Sequence, residues 1–245
     1  LRQIERAFAR HALAFGAPPA GMWPPEGGVS PEAVELAARA GTRWLATDEG
    51  VLWHSMPVGE RHHGTLYQPW RYRTPAGDVA LFFRDRELSD RIGFVYHHWE
   101  TGEAVADFVG RVRRIAREHG VGGRRPVVPV ILDGENCWEN YPADGGPFLE
   151  ALYAALEAAP DIRTVTPSEV LAEAPPTVEL ATLHSGSWID ADFHIWIGHP
   201  EKNRAWELLA RARRALLEAG RTPEDCPAAW ESLWAVGGSD WVWWF

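Results

Sequence analysis

Length, composition and charge set the first limits on this sequence. The chain has 245 residues, of which 46% are hydrophobic and 24% are charged, and its formal net charge is -10. These values are ordinary for a globular protein and exclude collagen-like, coiled-coil and disordered chains. The acidic balance, without any segment dense in lysine and arginine, argues against a nucleic-acid partner.

The sequence carries no signal for a membrane or for secretion. No run of about 18 apolar residues is present to span a bilayer, and residues 1–10 have a charged, helical pattern instead of that of a signal peptide. The two cysteines, Cys137 and Cys226, form neither a disulfide framework nor a metal-ligand pattern. We therefore expect a cytoplasmic protein with no membrane partner and no metal site.

Tryptophan is the unusual feature of the composition, with 14 residues. Most tryptophan side chains in a folded protein pack in its interior, where they bury a large apolar area. The flat face of an indole also stacks on sugar rings, so the surplus suggests a carbohydrate ligand.

The predicted elements alternate between helices and strands along most of the chain. Apolar periodicity predicts helices at residues 3–14, 31–40, 103–118, 147–159, 201–219 and 224–236, with a further helix capped by Thr166, and strands at residues 43–47, 79–83, 127–132 and 162–165. Residues 54–78 have no usable period and are predicted to form an irregular lid. The alternation favours a parallel sheet in an α/β fold, whose active site lies at the carboxyl ends of the strands.

Two carboxylates occur where such a fold would place its chemistry. Glu26 lies in the sequence MWPPEG, and Asp133 in ILDGEN directly follows a predicted apolar strand. Glycoside hydrolysis uses two carboxyl groups, which are about 5–5.5 Å apart when the anomeric configuration is retained. A carboxylate before a glycine is equally typical of a turn or a helix cap, so the residues alone leave both interpretations open.

Five segments jointly resemble glycoside hydrolase family 57. They are residues 21–49 (GMWPPEGGVSPEAVELAARAGTRWLATDE), 85–99 (DRELSDRIGFVYHHW), 131–156 (ILDGENCWENYPADGGPFLEALYAAL), 185–208 (SGSWIDADFHIWIGHPEKNRAWEL) and 237–245 (GGSDWVWWF). The resemblance implies a distorted (β/α)7-type barrel followed by a helical segment, and no cofactor. We accordingly expect a barrel domain at residues 1–198 and a helical extension at residues 199–245.

The resemblance also implies catalytic roles. Glu26 matches the family's nucleophile and Asp133 its acid/base, in a retaining double displacement. Two departures from the family pattern stand out, because no His-Gln-Pro element precedes Glu26 and the last block ends at Phe245 without the usual Gly-Asp-Asp-His. We therefore expect a barrel that is incomplete in this chain, as in a fragment of a longer enzyme.

Further residues are predicted to bind substrate. They are Trp23, Asp48, His97, Glu135, Trp138, Asp190, Asp192, Asp240 and Trp241. Each has a structural alternative: the tryptophans could pack in the interior, Asp48 could begin a turn, and Glu135 could hold its loop. His97 and the sequence from Asp190 to His194 are interpreted as strands, whose alternation would direct one set of side chains to the sugar.

The predicted function is a retaining glycoside hydrolase that acts on α-linked glucans or maltooligosaccharides. A 4-α-glucanotransferase or branching enzyme of the same family is the first alternative, and a glucan-binding remnant without activity is the second. A metal-dependent polysaccharide deacetylase is disfavoured, because the sequence has no Asp-Asp pair combined with a His-x-x-x-His spacing.

Overall fold

The computed structural model describes residues 1–120, 125–135 and 137–244. The helices are α1 (Arg2–Phe15), α2 (Pro31–Arg39), α3 (Glu49–Ser55), α4 (Arg86–Asp90), α5 (Thr101–His119), α6 (Gly146–Glu157), α7 (Pro167–Glu173), α8 (Pro200–Glu218) and α9 (Pro227–Val236). The strands are β1 (Gly21–Met22), β2 (Trp44–Asp48), β3 (Trp70–Thr74), β4 (Gly77–Arg84) and β5 (Val178–Glu179). No helix among the described residues has the length and apolarity needed to cross a membrane.

The chain divides into two compact units. The first contains residues 3–191 and Leu1, and the second contains residues 192–245 and Arg2. The first unit holds the strands, whereas α8 and α9 lie in the second. The predicted domain boundary at residue 198 stays a prediction.

One sheet organises the first unit, with the strand order β1-β2-β4-β3-β5. Strands β1, β2 and β4 run parallel to one another, β3 is antiparallel to β4, and β5 is parallel to β3. Because three neighbouring strands are parallel, their carboxyl ends meet at one edge of the sheet, where ligand sites of α/β folds form. The predicted α/β class is confirmed.

Both faces of the central strands are covered. Leu45, Leu81 and Phe83 belong to the main hydrophobic core, whereas Ala46 and Phe82 belong to a second cluster on the other face. Burial on two faces is typical of parallel strands and explains the nearly continuous apolar sequences from which β2 and β4 were predicted.

Two helix starts follow the predicted capping chemistry. The Ser30 hydroxyl accepts a hydrogen bond from the Ala33 amide at 3.1 Å and begins α2. Thr166 and Glu169 form a reciprocal capping box that begins α7. In each case the cap satisfies an amide that the first helical turn leaves without a partner.

The predicted strand at residues 127–132 is wrong. The segment is irregular, because its backbone groups bond to loop atoms and side chains instead of to a strand. The Ile131 amide donates to the Ser89 hydroxyl at 3.1 Å, and the Pro129 carbonyl accepts from the Asp85 amide at 2.9 Å. Pro129 also lacks the N–H that a central strand requires. The predicted strand at residues 162–165 is likewise irregular.

The predicted lid at residues 54–78 is partly regular. It contains β3, which forms a hairpin with β4 through a turn in which the Ala76 amide donates to the Thr74 hydroxyl at 3.1 Å. Gly77 closes this turn with a φ of 128°, which side chains disfavour. The hairpin was not predicted, because its Pro-Ala-Gly turn lies in a segment without a usable period.

A buried ion cluster occupies the carboxyl ends of β2 and β4. Asp48 and Arg84 are register partners on these strands, and they are 0% and 5% exposed. Arg84 Nη1 lies 3.4 Å from Asp48 Oδ2, and Arg84 Nη2 lies 2.5 Å from Asp90 Oδ1. Arg86 Nη2 lies 2.5 Å from Asp48 Oδ1, which also accepts the Gly50 amide at 2.8 Å. The cluster thus fixes the end of the sheet at which a site would form.

Asp85 lies beside this cluster with different partners. Its carboxylate accepts the Leu88 amide at 2.9 Å, which caps α4, and the Tyr67 hydroxyl at 3.0 Å. Burial raises the pKa of the Asp85 carboxyl, although the two donors lower it in part. Burial and the neighbouring Asp85 charge raise the pKa of Tyr67, so this phenol keeps its proton.

Asp48→Asn tests the buried ion pair. The amide keeps an acceptor for Gly50 but leaves Arg84 buried with only Asp90 as an anionic partner, so we expect a loss of about 3 kcal/mol in the free energy of unfolding. Urea unfolding followed by tryptophan fluorescence measures this loss. The control is Asp161→Asn, which breaks the exposed pair with Arg113 and should cost far less. Equal losses in the two variants would contradict a dominant role for the buried pair.

Asp85→Asn tests the pH dependence that burial imposes. The ordinary pKa of Asp85 is 3.8, and the folded value is higher, so the folded state binds more protons than the unfolded state between the two values. The contribution of Asp85 to stability therefore falls as pH rises through this interval. In urea unfolding from about pH 3 upward, the stability of the unaltered chain relative to the variant should fall as pH rises. Parallel curves would show that the buried carboxyl does not carry the effect.

Candidate active site

Glu26 lies in a short turn, Pro25–Gly27, which two residues separate from the end of β1. Its backbone has a φ of 54° and a ψ of 24°, in the left-handed region that residues other than glycine rarely adopt. Such strained positions are concentrated at functional sites, where the surrounding structure holds them. The Glu26 side chain is half-buried, so it is accessible at the carboxyl end of the sheet.

Trp188 holds Glu26 at two points. Its indole Nε1 donates to Glu26 Oε2 at 2.7 Å, and its backbone amide donates to the Glu26 carbonyl at 3.0 Å. Next to this contact, Val29 and Gly186 exchange two backbone hydrogen bonds of 2.9 and 3.0 Å. The segment around Trp188 is therefore fixed against the segment that carries Glu26.

Trp23 and Arg84 surround the Trp188 ring. The Trp23 ring meets it edge-on at 5.2 Å, and the Arg84 guanidinium lies 5.3 Å from its centroid. Trp23 also covers Gly27, where an added Cβ would lie 2.5 Å from the Trp23 ring. These contacts show packing of Trp23, and its predicted contact with sugar stays a prediction.

Asp133 is half-buried in the irregular segment that follows residues 127–132. Burial raises the pKa of the Cys137 thiol, and the negative charge of Asp133 raises it further, so these two groups are close. Arg84 Nε donates to the Ile131 carbonyl at 2.8 Å, two residues before Asp133. One guanidinium thus contacts both the tryptophan that holds Glu26 and the segment that carries Asp133.

Asp48 is placed differently from the prediction of a sugar contact. Its carboxylate has no exposed surface and is occupied by Arg84, Arg86 and the Gly50 amide. This environment fits a role in positioning Arg84 better than a role in binding substrate. The sugar contact of Asp48 stays a prediction that its burial does not favour.

His97 lies in the helical turn Tyr96–His98, so the predicted strand alternation at this position is wrong. Its Nδ1 is buried and makes no hydrogen bond within the described part of the chain. His97 lines a small pocket together with Tyr96, Trp99, Thr101, Tyr141, Pro142, Pro147 and Phe148. Trp99 is 42% exposed, so the pocket is bordered by a partly exposed aromatic ring.

Trp138 and Glu135 belong to the loop after Asp133. The Trp138 indole donates to the Gly134 carbonyl at 2.9 Å, and its ring lies 5.7 Å from that of Tyr141. This hydrogen bond of Trp138 supports the loop that follows Asp133. Glu135 is exposed on the same loop. Both remain predicted substrate contacts.

The predicted strand from Asp190 to His194 is wrong. Asp190 and Ala191 have φ values of 53° and 57° in a turn, which breaks the alternation that a strand would give. In the second unit, Asp192 Oδ1 accepts the His194 amide at 3.0 Å. Asp190 and Asp192 were expected to share one face of a strand, and these residues do not form a strand.

Asp240 and Trp241 lie in the helical turn Ser239–Trp244 of the second unit. The Trp241 ring lies 5.0 Å from that of Trp206, and its indole donates to the Val236 carbonyl at 2.9 Å. Trp244 is largely exposed. The substrate contacts predicted for Asp240 and Trp241 stay predictions.

Sequence reasoning missed Trp188, Arg84 and Arg86 as parts of the site. Trp188 lies within a segment that resembles the family, but no local pattern links it to Glu26, 162 residues away. The signal for Arg84 was its position directly after the strand predicted at residues 79–83. Among the described residues, no group of three or more His, Cys, Asp or Glu side chains is arranged to hold a metal ion.

Comparisons with known proteins agree on one fold. The chain is similar to the 4-α-glucanotransferase from Thermococcus litoralis, with a TM-score of 0.59 and 18% identity over 91% of this chain and 32% of that one. It is similar to the α-amylase AmyC from Thermotoga maritima, with a TM-score of 0.67 and 18% identity over 89% of this chain and 51% of that one. For the family 57 branching enzyme from Pyrococcus horikoshii the values are 0.67 and 19%, over 85% and 48%.

These similarities identify the sheet as an incomplete form of the predicted (β/α)7-type barrel. The chain spans between about a third and a half of the length of the solved structures it resembles. No curated protein matches it at a significant level. The model of glycosyl hydrolase family 57 matches residues 1–182, and the chain therefore belongs to that family.

Proposed function

We propose that this chain carries the catalytic pair of a retaining enzyme that acts on α-linked glucans, with Glu26 as the nucleophile and Asp133 as the acid/base. Members of the family are glycoside hydrolases or transferases. The solved structures with this fold include an enzyme of each kind, named as an α-amylase and as a 4-α-glucanotransferase.

The observation that carries the proposal is the position of Arg84 between the two candidate catalytic segments. Its Nε donates to the Ile131 carbonyl before Asp133, and its guanidinium lies over the Trp188 ring that donates to Glu26. A retaining enzyme needs two carboxyl groups held at a fixed separation. A buried guanidinium that contacts both segments can hold them at a fixed separation.

The proposed reaction has two steps. Glu26 attacks the anomeric carbon while Asp133 gives its proton to the glycosidic oxygen that leaves, which produces a glycosyl ester on Glu26. Asp133 then takes a proton from water, or from a sugar hydroxyl, which attacks the same carbon and releases Glu26. The hydrogen bond from Trp188 holds the carboxylate that must attack.

Hydrolysis and transfer share this intermediate and differ in the acceptor. Water as acceptor gives an amylase-like hydrolase, whereas a sugar hydroxyl gives a 4-α-glucanotransferase or a branching enzyme. The partly exposed ring of Trp99 is the aromatic surface on which a sugar could stack, and it borders a small pocket near the Asp133 loop, because Tyr141 lines that pocket and contacts Trp138. Non-catalytic glucan binding uses the same aromatic surfaces and is the second candidate.

Maltoheptaose and a reactive glucosyl donor test the two catalytic roles. Glu26→Gln should abolish products from both substrates, because no nucleophile remains. Asp133→Asn should reduce turnover of maltoheptaose by roughly 10²–10⁴-fold, and it should reduce formation of the glycosyl ester from α-glucosyl fluoride far less, since fluoride leaves without a proton. Chromatography of the sugars and fluoride release provide the measurements.

The controls are Glu32→Gln and Glu139→Gln, which alter carboxylates outside the proposed pair. Both should keep the activity of the unaltered chain. Shorter sugars alone indicate hydrolysis, and a ladder of longer sugars indicates transfer. Binding of maltoheptaose without turnover by the unaltered chain would contradict the catalytic proposal and favour the glucan-binding one.

A further inference from the structure

The hydrogen bond between Trp188 and Glu26 occupies one defined carboxylate oxygen. Trp188 Nε1 donates to Oε2 at 2.7 Å, a short distance for a bond from a neutral N–H. A carboxylate that attacks an anomeric carbon must present its other oxygen. The bond therefore leaves Oε1 as the atom available for attack, and in a glycosyl ester it would place the donor on the carbonyl oxygen.

Arg84 contacts the ring of Trp188, the residue whose indole N–H donates to Glu26. Its guanidinium lies 5.3 Å from the ring centroid and is held by Asp48, Asp90 and the Ile131 carbonyl. A cation over the face of an indole is attracted to the ring. It also draws electron density from the ring, which makes the indole N–H a stronger donor to Glu26.

The loop that carries Trp188 is anchored on both sides of this residue. Gly186 exchanges two hydrogen bonds with Val29, and the buried Ser187 hydroxyl accepts the Ile189 amide at 3.0 Å. His184 Nε2 lies 2.7 Å from the Ala191 carbonyl and closes the loop. The backbone that carries the indole is thereby fixed on both sides of Trp188.

We propose that Trp188 is the positioning residue of Glu26 and that Arg84 holds Trp188 in place. This inference rests on the proposed function, because it treats Glu26 as the nucleophile. Trp188 does not itself react: the Oε1–carbon bond forms as the glycosidic bond breaks, and the proton of Asp133 goes to the leaving oxygen. Trp188 keeps the Glu26 side chain oriented through these changes.

Trp188→Phe tests the role, with Trp44→Phe as its matched control. Phenylalanine keeps an aromatic ring but removes the indole donor. Trp44 is also half-buried and also donates through its indole, to the Ser168 hydroxyl at 3.2 Å, but it does not contact Glu26. Both variants therefore lose one indole hydrogen bond, and only one of them loses the bond to the proposed nucleophile.

Nuclear magnetic resonance of ¹⁵N-labelled tryptophan reports the contact without any need for activity. The signal that disappears in Trp188→Phe identifies the Trp188 indole, and the signal that disappears in Trp44→Phe identifies the control. Glu26→Gln should move the Trp188 signal upfield, because a neutral amide accepts a weaker hydrogen bond than a carboxylate does. The Trp44 signal should stay in place.

Kinetics on maltoheptaose report the consequence for catalysis. Trp188→Phe should lower kcat/KM by about ten- to a hundredfold, the range expected for loss of a hydrogen bond to a charged group. The loss should appear in kcat, with KM nearly unchanged, because the lost bond orients the attacking oxygen and does not contact the sugar. Trp44→Phe should change neither quantity, although both variants should lose similar stability.

The two measurements separate the failure of this inference from the failure of the proposed function. A Trp188 signal that does not respond to Glu26→Gln would overturn the positioning role, whatever the activity. A kcat/KM and a kcat unchanged by Trp188→Phe in an active enzyme would overturn it as well. If the Trp188 signal responds but activity survives Glu26→Gln, the contact is supported and Glu26 is not the nucleophile.

Discussion

The site depends on one buried cation, the guanidinium of Arg84. Removal of a charge from water costs several kcal/mol unless anions and hydrogen-bond acceptors replace the water. Asp48, Asp90, the Ile131 carbonyl and the Trp188 ring provide these replacements. Because the partners come from four separate segments, the requirement to satisfy one side chain brings together the ends of β2 and β4 and the loops beyond them.

The arrangement of the strands explains why this cluster lies at the candidate site. Strands β1, β2 and β4 are parallel, so their carboxyl ends meet at one edge of the sheet. Glu26 follows β1, Asp48 ends β2 and Arg84 ends β4. Glu26 has left-handed backbone angles, a conformation that the Trp188 contacts and the Val29–Gly186 bridge hold in place. Local strain and buried charge are thus concentrated at the edge where the chemistry is proposed.

The sequence predicted the elements whose signals are local. Ser30 before Pro31 marked the start of α2, and an apolar run marked β2, because capping and burial act over a few residues. The segment at residues 127–132 failed as a strand because its hydrogen-bond partners are side chains and loop atoms, which an apolar pattern does not reveal. The contact between Glu26 and Trp188 could not be predicted from either residue, since it depends on the fold of the 162 positions between them.

Covalent trapping tests the central claim most directly. A 2-deoxy-2-fluoro or 5-fluoro glucosyl fluoride slows release of a glycosyl-enzyme ester, so the labelled residue can be located by mass spectrometry of peptides from the 245-residue chain. The account predicts that the label adds the mass of one fluorosugar to the peptide containing Glu26, and that Glu26→Gln abolishes it. A label on another carboxylate, or turnover with inversion at the anomeric carbon, would contradict the assignment of Glu26 as the nucleophile.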